Sequence, residues 1–516
     1  MVLQKTTFFL QKFNRRGTKL KFFIDQHGCA KNQVDGELMI SILSKKGYEQ
    51  TFDAGEADLI IVNSCGFIES AKLESITAVQ SARQMYPKAK ILLAGCLAER
   101  YAKDLKDSLT EADGFFGNGD LDQLYKVVEP MMNGERPVLT PPQKGISNGE
   151  REMLLSFSGS AFVKITEGCN NRCTYCAIPV IRGELRSRKA DEIIEEIKRL
   201  VDEGVYEINL IGQDLAAYGT GRDDNVFGTG RTYLPKGTPG FIGLADDESN
   251  KESGLCTLLK MISKIEGTFC VRLLYIHPDH FNEDILPVIK ADKRILAYFD
   301  LPLQSGDDKI IKLMRRVGTA EKYKALIQKI RDELPEAAIR TTFLAGFPGE
   351  TDEQAENSKK FLEEIRTDWS GCFPYSVEED TPAEKFPNQI EDDVKEARAN
   401  ALIELQAKIT REKLAARCGK DYDILIEEVL SENPEAKDEG IAIGRAWFQA
   451  PEVDGSVVVN YDRSDEKANA AVKSGRLVKV HIHSSGDVDL NGEFISDSEL
   501  NKTIKKNTLK FAQEQI

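Results

Sequence analysis

No part of this 516-residue chain is apolar for long. Runs such as Ile91 to Ala98 are far too short to cross a bilayer, so no membrane span is expected. Positive charge is also scarce: 69 Lys and Arg against 84 Asp and Glu leave a formal net charge of −15. That balance argues against a protein that coats nucleic acid through general basicity. The first 24 residues are an exception, with Lys5, Lys12, Arg15, Arg16, Lys19 and Lys21 and no acid. They lack a long apolar core and a small-residue cleavage site, and read as a disordered or weakly helical extension rather than a secretory signal. Ten cysteines in this length are too few for a disulfide scaffold. Several stand beside glycine, which suggests metal binding in a reducing cytoplasm. Length and an ordinary apolar content allow two to four domains with full-sized cores.

The densest chemistry lies in Cys169-Asn170-Asn171-Arg172-Cys173-Thr174-Tyr175-Cys176, just after the strand-like run Ala161–Thr166. Three thiolates spaced C-x3-C-x2-C can hold three irons of a 4Fe–4S cube and leave the fourth iron open. A structural zinc site wants four closed ligands, and an open zinc site usually includes His, which this loop lacks. On spacing alone, a purely structural cluster or zinc loop is the alternative.

This loop resembles that of the radical S-adenosylmethionine enzymes. The resemblance implies that S-adenosylmethionine chelates the open iron and is cleaved reductively to a 5′-deoxyadenosyl radical. It also implies that Tyr175, just before the third cysteine, lies beside the adenine.

From residue 21 to about 130, strands near 20–24, 58–62 and 90–94 alternate with helices near Val34–Lys45, Glu69–Met85 and Ala98–Leu105. Such alternation predicts a parallel sheet. Asn32 and Ser64 are candidate caps or turn residues. Each strand runs into a cysteine beside a glycine: Gly28-Cys29, Cys65-Gly66 and Gly95-Cys96. Ligands of such sheets collect where the strand carboxyl ends meet, so Cys29, Cys65 and Cys96 should converge on a second three-thiolate cluster. Three buried apolar cysteines are the plainer alternative. Gly28-Cys29-Ala30-Lys31-Asn32-Gln33-Val34-Asp35 resembles the opening motif of the methylthiotransferases, in which this domain holds an auxiliary 4Fe–4S cluster. The resemblance runs from about residue 20 to about residue 490. Gly36 departs from it, standing where the family usually has Ser.

Residues 131–149 read as a linker. Six strand-like segments follow, near 161–166, 206–211, 271–276, 296–301, 339–345 and 371–375, with helical stretches such as 191–202, 321–334 and 352–365 between them. They predict a partial (β/α)6 barrel with functional groups at the strand carboxyl ends. Glu167, Gln213, Asp214, His277, Gln304 and Phe347–Glu350 fall at those ends. His277 reads equally as an ordinary packed histidine and is not placed in the site. Arg182, Arg186 and Arg188 are candidates for a carboxylate partner, because guanidinium fits carboxylate bidentately. Leu344–Glu350 resembles the family's cofactor-contacting stretch, which implies Gly346 and Gly349 as contacts, with Arg188 as a third. Residues 218–254 read as a flexible, solvated insertion beyond the second strand.

Asp392–Arg417 is strongly helical and should pack on the barrel. Short strands near 424–426, 441–446, 455–459 and 477–482 then suggest a small β-barrel resembling the TRAM domain that ends methylthiotransferases. The last stretch, 501–516, reads as a solvated helix or tail. The expected organisation is α/β throughout the first two domains. It comprises a parallel-sheet domain over 20–130, the barrel over 155–385, a connecting helix over 386–417 and the β domain over 418–493. From Gly419 to Glu493 sixteen acids face eight Lys and Arg, a poor grip on RNA phosphate and a reasonable one on a basic protein.

Three details resemble the branch of methylthiotransferases that modifies a ribosomal protein. They are Ala30–Asp35 after Cys29, the acidic Phe373–Ala383 stretch, and Ala450-Pro451-Glu452-Val453-Asp454-Gly455. The resemblance implies a cytoplasmic enzyme with two 4Fe–4S clusters that methylthiolates an aspartate β-carbon of small-subunit ribosomal protein S-twelve (uS12). One S-adenosylmethionine would supply the methyl group. A second, cleaved with an electron from a cellular one-electron reductant, would supply the radical. A tRNA adenosine methylthiotransferase and a non-catalytic iron–sulfur electron carrier are the alternatives. No acid–base catalytic residue is nominated.

Overall fold

In a computed structural model that describes residues 19–222, 224–228, 252–430 and 438–514, the chain forms two compact units. One comprises the described residues up to Leu155 together with Glu514, and the other the described residues from Ser156 to Gln513. The basic residues Lys5, Lys12, Arg15 and Arg16 lie outside the described residues, as does most of the expected insertion, residues 229–251.

The first unit is built on β1 (Lys21–Gln26), α1 (Ala30–Lys45), β2 (Glu49–Gln50), β3 (Leu59–Ser64), α2 (Glu69–Met85), β4 (Lys90–Gly95), α3 (Cys96–Ser108), β5 (Gly114–Phe116), α4 (Tyr125–Met132) and β6 (Val138–Leu139). Its strands form one parallel sheet in the order β2-β1-β3-β4-β5-β6. β3 is fully buried, as the unbroken apolar run Leu59–Val62 requires of a strand covered on both faces. Ile60, Val62, Ile91 and Leu93 pack against Val79, Ala82, Leu97 and Ala102 of α2 and α3. Helices α1 and α3 begin earlier than their apolar periodicity suggests, α1 directly after Cys29 and α3 at Cys96 itself, while α2 begins at Glu69 as expected. The stretch expected as linker contributes β6 to the sheet.

The second unit carries a six-stranded parallel sheet of β7 (Ser160–Lys164), β8 (Glu207–Ile211), β9 (Cys270–Leu273), β10 (Ile295–Gln304), β11 (Ala338–Ala345) and β12 (Trp369–Pro374). The strands are ordered as in the sequence, the arrangement of a partial barrel. Helices α5 (Ile178–Arg182), α6 (Ala190–Asp202), α7 (Gly254–Ile262), α8 (Ile285–Ala291), α9 (Asp308–Leu313), α10 (Ala320–Glu333) and α11 (Asp352–Ile365) connect them. The long α12 (Asp392–Ala415) follows and packs on β12. The described start of the 218–254 segment is not solvated. The Tyr218 hydroxyl donates to the Arg188 carbonyl at 2.9 Å, and the Ala190 N–H donates to the Val226 carbonyl at 2.8 Å. Nor is the tail free, since the Thr508 N–H donates to the Glu203 carbonyl at 2.9 Å.

The small β domain closes into a barrel of β13 (Asp421–Val429), β14 (Glu439–Arg445), β15 (Val457–Asp462), β16 (Leu477–Ser485) and β17 (Leu490–Asp497) in the order β13-β14-β15-β17-β16. The fifth strand escaped the sequence reading because most of its residues face solvent and its pattern is polar. A buried ion cluster and the hydrogen bonds beside it seat this barrel against five of the six sheet strands, β8 to β12. Arg445 donates both Nη atoms to Glu207 at 2.7 and 3.0 Å, and its Nε to Glu427 at 2.5 Å. Arg272 shares Glu207 at 2.9 Å. Beside it, Asp454 accepts from the Tyr298 hydroxyl at 2.6 Å and the Ala450 N–H at 2.8 Å, with Arg340 Nε at 3.4 Å. Trp369 Nε1 donates to the Phe448 carbonyl at 2.9 Å.

Asp454 gives the seam a pH dependence. Burial, only partly countered by Arg340, pushes its carboxyl up to about 6. Its folded form therefore holds a proton that the unfolded chain has released above pH 4, so it costs stability as pH rises through 6. Denaturant unfolding of wild type and Asp454→Asn between pH 4 and 7 should show the wild type losing stability relative to the variant. A constant difference over that range would contradict the assignment.

Candidate active site

The loop after β7 is held from every side by backbone. Thr166–Glu167 pairs antiparallel with Arg186–Ser187. Gly168 has φ +74°, and a Cβ there would lie 2.2 Å from the Glu184 carbonyl oxygen, so only glycine fits. The Cys169 N–H donates to Gly183 O at 3.1 Å, the Thr174 N–H to Met314 O at 3.2 Å, and the Ala383 N–H to Thr174 O at 2.9 Å. The Thr174 hydroxyl donates to Leu313 O at 2.8 Å, and Asn171 Nδ2 to Asp214 Oδ2 at 3.1 Å.

Three thiols therefore share one buried pocket. Burial, followed by the nearby Asp214 carboxylate and the other two thiols, pushes Cys169 well up. Burial and then Cys173 push Cys176 up to about 12. Bare thiolates would repel one another here, so the site suits thiolates only when they ligate a cationic centre. The donor set is three thiolates, which fits three irons of a 4Fe–4S cube, because a cube spreads its thiolates over separate irons.

The surroundings are charged and ordered. Glu167 is gripped by Arg182 at 2.7 Å and Lys164 at 2.6 Å. Burial opposes its ionisation, but those two cations more than offset it and hold the carboxyl far below the usual range. Asp214 is likewise held anionic against burial by His280, whose Nδ1 lies 2.6 Å away. The Tyr175 hydroxyl accepts from Arg316 Nη2 at 3.0 Å, and its ring packs with Met314, Phe347 and Tyr375. That cluster includes Leu344, so the cysteine loop and the end of β11 meet.

The sequence-nominated contacts fare differently. Gly349 has φ +82° and open space where a Cβ would go. Gly346 has φ +73°, and a Cβ there would lie 2.4 Å from Lys395 Cγ; its N–H donates to Glu350 Oε2 at 2.8 Å. Its need for glycine is therefore met by the approach of α12. Arg188 is 7% exposed and donates to Glu196 at 2.6 Å and the Lys164 carbonyl at 3.0 Å. Arg182 is engaged by Glu167, while Arg186 Nη1 donates to the carbonyls of Arg182 and Glu184. Arg316 was missed, because an arginine in the turn between α9 and α10 has no periodic or motif signal.

In the first unit, the three other cysteines stand at the carboxyl ends of β1, β3 and β4, and Asn32 ties those ends together. Its Nδ2 donates to the carbonyls of His27 at 2.8 Å, Asn63 at 3.1 Å and Ser64 at 3.0 Å. Its Oδ1 lies 3.8 Å from Cys96 Sγ, which also accepts from Asn118 Nδ2 at 3.4 Å. Asn32 sits inside α1 and acts as a clasp rather than a cap. Ser64 ends β3 and donates its hydroxyl to the Ala94 carbonyl at 2.5 Å. A Cβ on Gly28 would lie 3.1 Å from Cys65 Cβ, and one on Gly66 would lie 2.7 Å from the Cys96 carbonyl oxygen. The segments carrying Cys29, Cys65 and Cys96 are therefore in direct contact, and none of the three is in a disulfide.

A three-cysteine loop at the carboxyl end of a sequentially ordered parallel sheet defines the class of radical S-adenosylmethionine, iron–sulfur enzymes. The sequence carries the matching domain signatures: the uncharacterized protein family UPF0004 over residues 21–117, the radical SAM superfamily over 163–362, and the TRAM domain over 418–495. Ribosomal protein uS12 methylthiotransferase RimO of Treponema denticola is 50% identical over 485 residues, covering 90% of this chain and 99% of that protein. The enzyme of the same name from Bdellovibrio bacteriovorus is 37% identical, covering 91% and 96%. The chain belongs to the ribosomal protein uS12 methylthiotransferase family. Among solved structures, the radical S-adenosylmethionine methyltransferase TsrM of Kitasatospora setae aligns over 71% of this chain and 74% of that one, at 12% identity and a TM-score of 0.49.

Gly168→Ala should leave the protein soluble but strip iron from the second unit, since backbone must move to admit the methyl group. Gly349→Ala meets no neighbouring atom, so only its φ of +82° strains the turn, and it should keep its iron. Iron per chain after anaerobic reconstitution compares the two, and equal retention would contradict the packing.

Proposed function

We propose that this enzyme methylthiolates the β-carbon of an aspartate in ribosomal protein uS12, with Cys169, Cys173 and Cys176 holding one 4Fe–4S cluster and Cys29, Cys65 and Cys96 a second. The observation that carries the reading is the match, over nearly the full length of both chains, to uS12 methylthiotransferases. When bound, the clusters and S-adenosylmethionine supply a carbon-centred radical, a methyl group and sulfur. The protein's part is to hold and orient them. Arg316 fixes Tyr175 where an adenine ring would stack. Asp214 and Asn171 hold the cysteine loop in place. Gly349 offers its open side to the nucleoside, and we retain Gly346 and Arg188 as flanking contacts on position alone. A one-electron reductant must act, and ten thiols suit a reducing, cytoplasmic setting. Among the described residues no helix is long and apolar enough to cross a membrane.

The charge of the small β domain favours a protein substrate over tRNA. Of its cations, Arg445 is buried against Glu207 and Glu427, and Arg476 pairs with Asp497 at 3.1 Å. The other six Lys and Arg stand among sixteen acids, a poor net balance for binding phosphate.

Co-expression with uS12 in cells lacking their own enzyme should add one methylthio group to the protein, mapped to an aspartate by mass spectrometry. Cys173→Ala should abolish it. Unmodified uS12 beside an enzyme that carries its clusters would overturn the substrate and turn attention to tRNA nucleosides.

A further inference from the structure

Two buried donors beside the cysteine loop have no partner. His277, just past β9, is 8% exposed, and Arg316 is 7% exposed. His277 Nε2 and Arg316 Nε are buried atoms without a hydrogen bond. The His277 ring is oriented by backbone, because its Nδ1 accepts from the Asp279 N–H at 3.2 Å. In a neutral imidazole an accepting Nδ1 carries no hydrogen, so the proton sits on Nε2 and the orphan atom is a donor. Burial, reinforced by the charge of Arg316, pushes His277 down to about 3 and keeps the ring neutral.

Asp279 ties the two residues together. Its carboxylate accepts from the Val317 N–H at 2.9 Å and the Tyr323 hydroxyl at 2.8 Å. Arg316 has spent its terminal nitrogens, Nη1 on the Pro302 carbonyl at 2.5 Å and Nη2 on Tyr175 at 3.0 Å. On the other side, the backbone N–H of His277 donates to Asp214 at 3.2 Å, the same carboxylate that accepts from Asn171 of the cysteine loop. A dehydrated N–H without an acceptor is costly, and here two belong to side chains near enough for the charge of Arg316 to act on His277. That pairing suits an anionic oxygen.

We propose that His277 Nε2–H and Arg316 Nε–H form a carboxylate-binding pair at the barrel mouth, with His277 as a positioning residue that orients a ligand rather than reacting with it. The inference rests on the radical reading of the cysteine loop. Two ligands of the proposed reaction carry the required group: the methionyl end of S-adenosylmethionine and the aspartate side chain of the substrate.

The test compares anaerobically reconstituted wild type with His277→Asn and His277→Gln. Asn keeps an acceptor for the Asp279 N–H and loses the Nε2–H donor; Gln places an N–H near the Nε2 position. S-adenosylmethionine binding is measured by equilibrium dialysis, and KM is measured for uS12. A cofactor carboxylate predicts roughly ten-fold or greater weakening of S-adenosylmethionine binding in the Asn variant, mostly recovered in Gln. A substrate carboxylate predicts unchanged binding, a similar rise in KM and persistent 5′-deoxyadenosine release, again recovered in Gln. The proposal is overturned if the Asn and Gln variants behave alike, or if binding and KM both stay within about two-fold of wild type. It is also overturned if the electron paramagnetic resonance of the reduced cluster without S-adenosylmethionine shifts in Asn, which would put the donor on cluster sulfur. A wild-type holoenzyme that fails to bind S-adenosylmethionine sinks the radical reading itself, and this inference with it.

Discussion

Thiolates packed together out of water are tolerable only beside positive charge, and that constraint shapes the loop after β7. Burial and mutual repulsion push Cys169 and Cys176 away from the anionic form that ligation needs. The binding free energy of a cationic cluster must reverse that shift, and a rigid loop lets little of it be lost to ordering. The rigidity is visible in the backbone hydrogen bonds on both sides of the three cysteines and in the glycine at 168 that no other residue can replace. The other cysteine set reaches the same end by a different route. There the carboxyl ends of three parallel strands are clasped by one buried asparagine amide.

Charge is also buried at the other end of the second unit's strands. Glu207, Arg272, Arg445 and Glu427 form a paired cluster in which each carboxylate has a guanidinium partner. Such clusters add little net stability, but losing one member strands the rest, so they fix one docking geometry rather than merely strengthening it. The Ala450–Gly455 segment that marks the ribosomal-protein branch belongs to this seam through Asp454. Through Asp454 it helps hold the β domain on the barrel.

Much of this was legible in the chain. Period-two and period-3.6 patterns located both parallel sheets, and the Cys-Gly pairs at strand ends marked convergence before any coordinates. The small barrel's fifth strand was hidden by its polar, exposed face. Arg188 shows what spacing leaves out for charged residues: its position beside the cysteine loop could be read from the chain, but the hydrogen bonds of its guanidinium to Glu196 and the Lys164 carbonyl could not. Arg316 and His277 show the converse. Their importance lies in which buried atoms remain unpartnered, a property of tertiary packing that no local pattern carries.

The proposed chemistry needs two separate three-thiol sites. Mössbauer spectroscopy of protein reconstituted anaerobically with iron-57 and sulfide tests this most directly. About eight irons per chain in two 4Fe–4S clusters are expected for the wild type, with about four remaining in Cys65→Ala and only that residual cluster perturbed when Cys173 is also replaced. About four irons in the wild type, unchanged by Cys65→Ala, would contradict the second site.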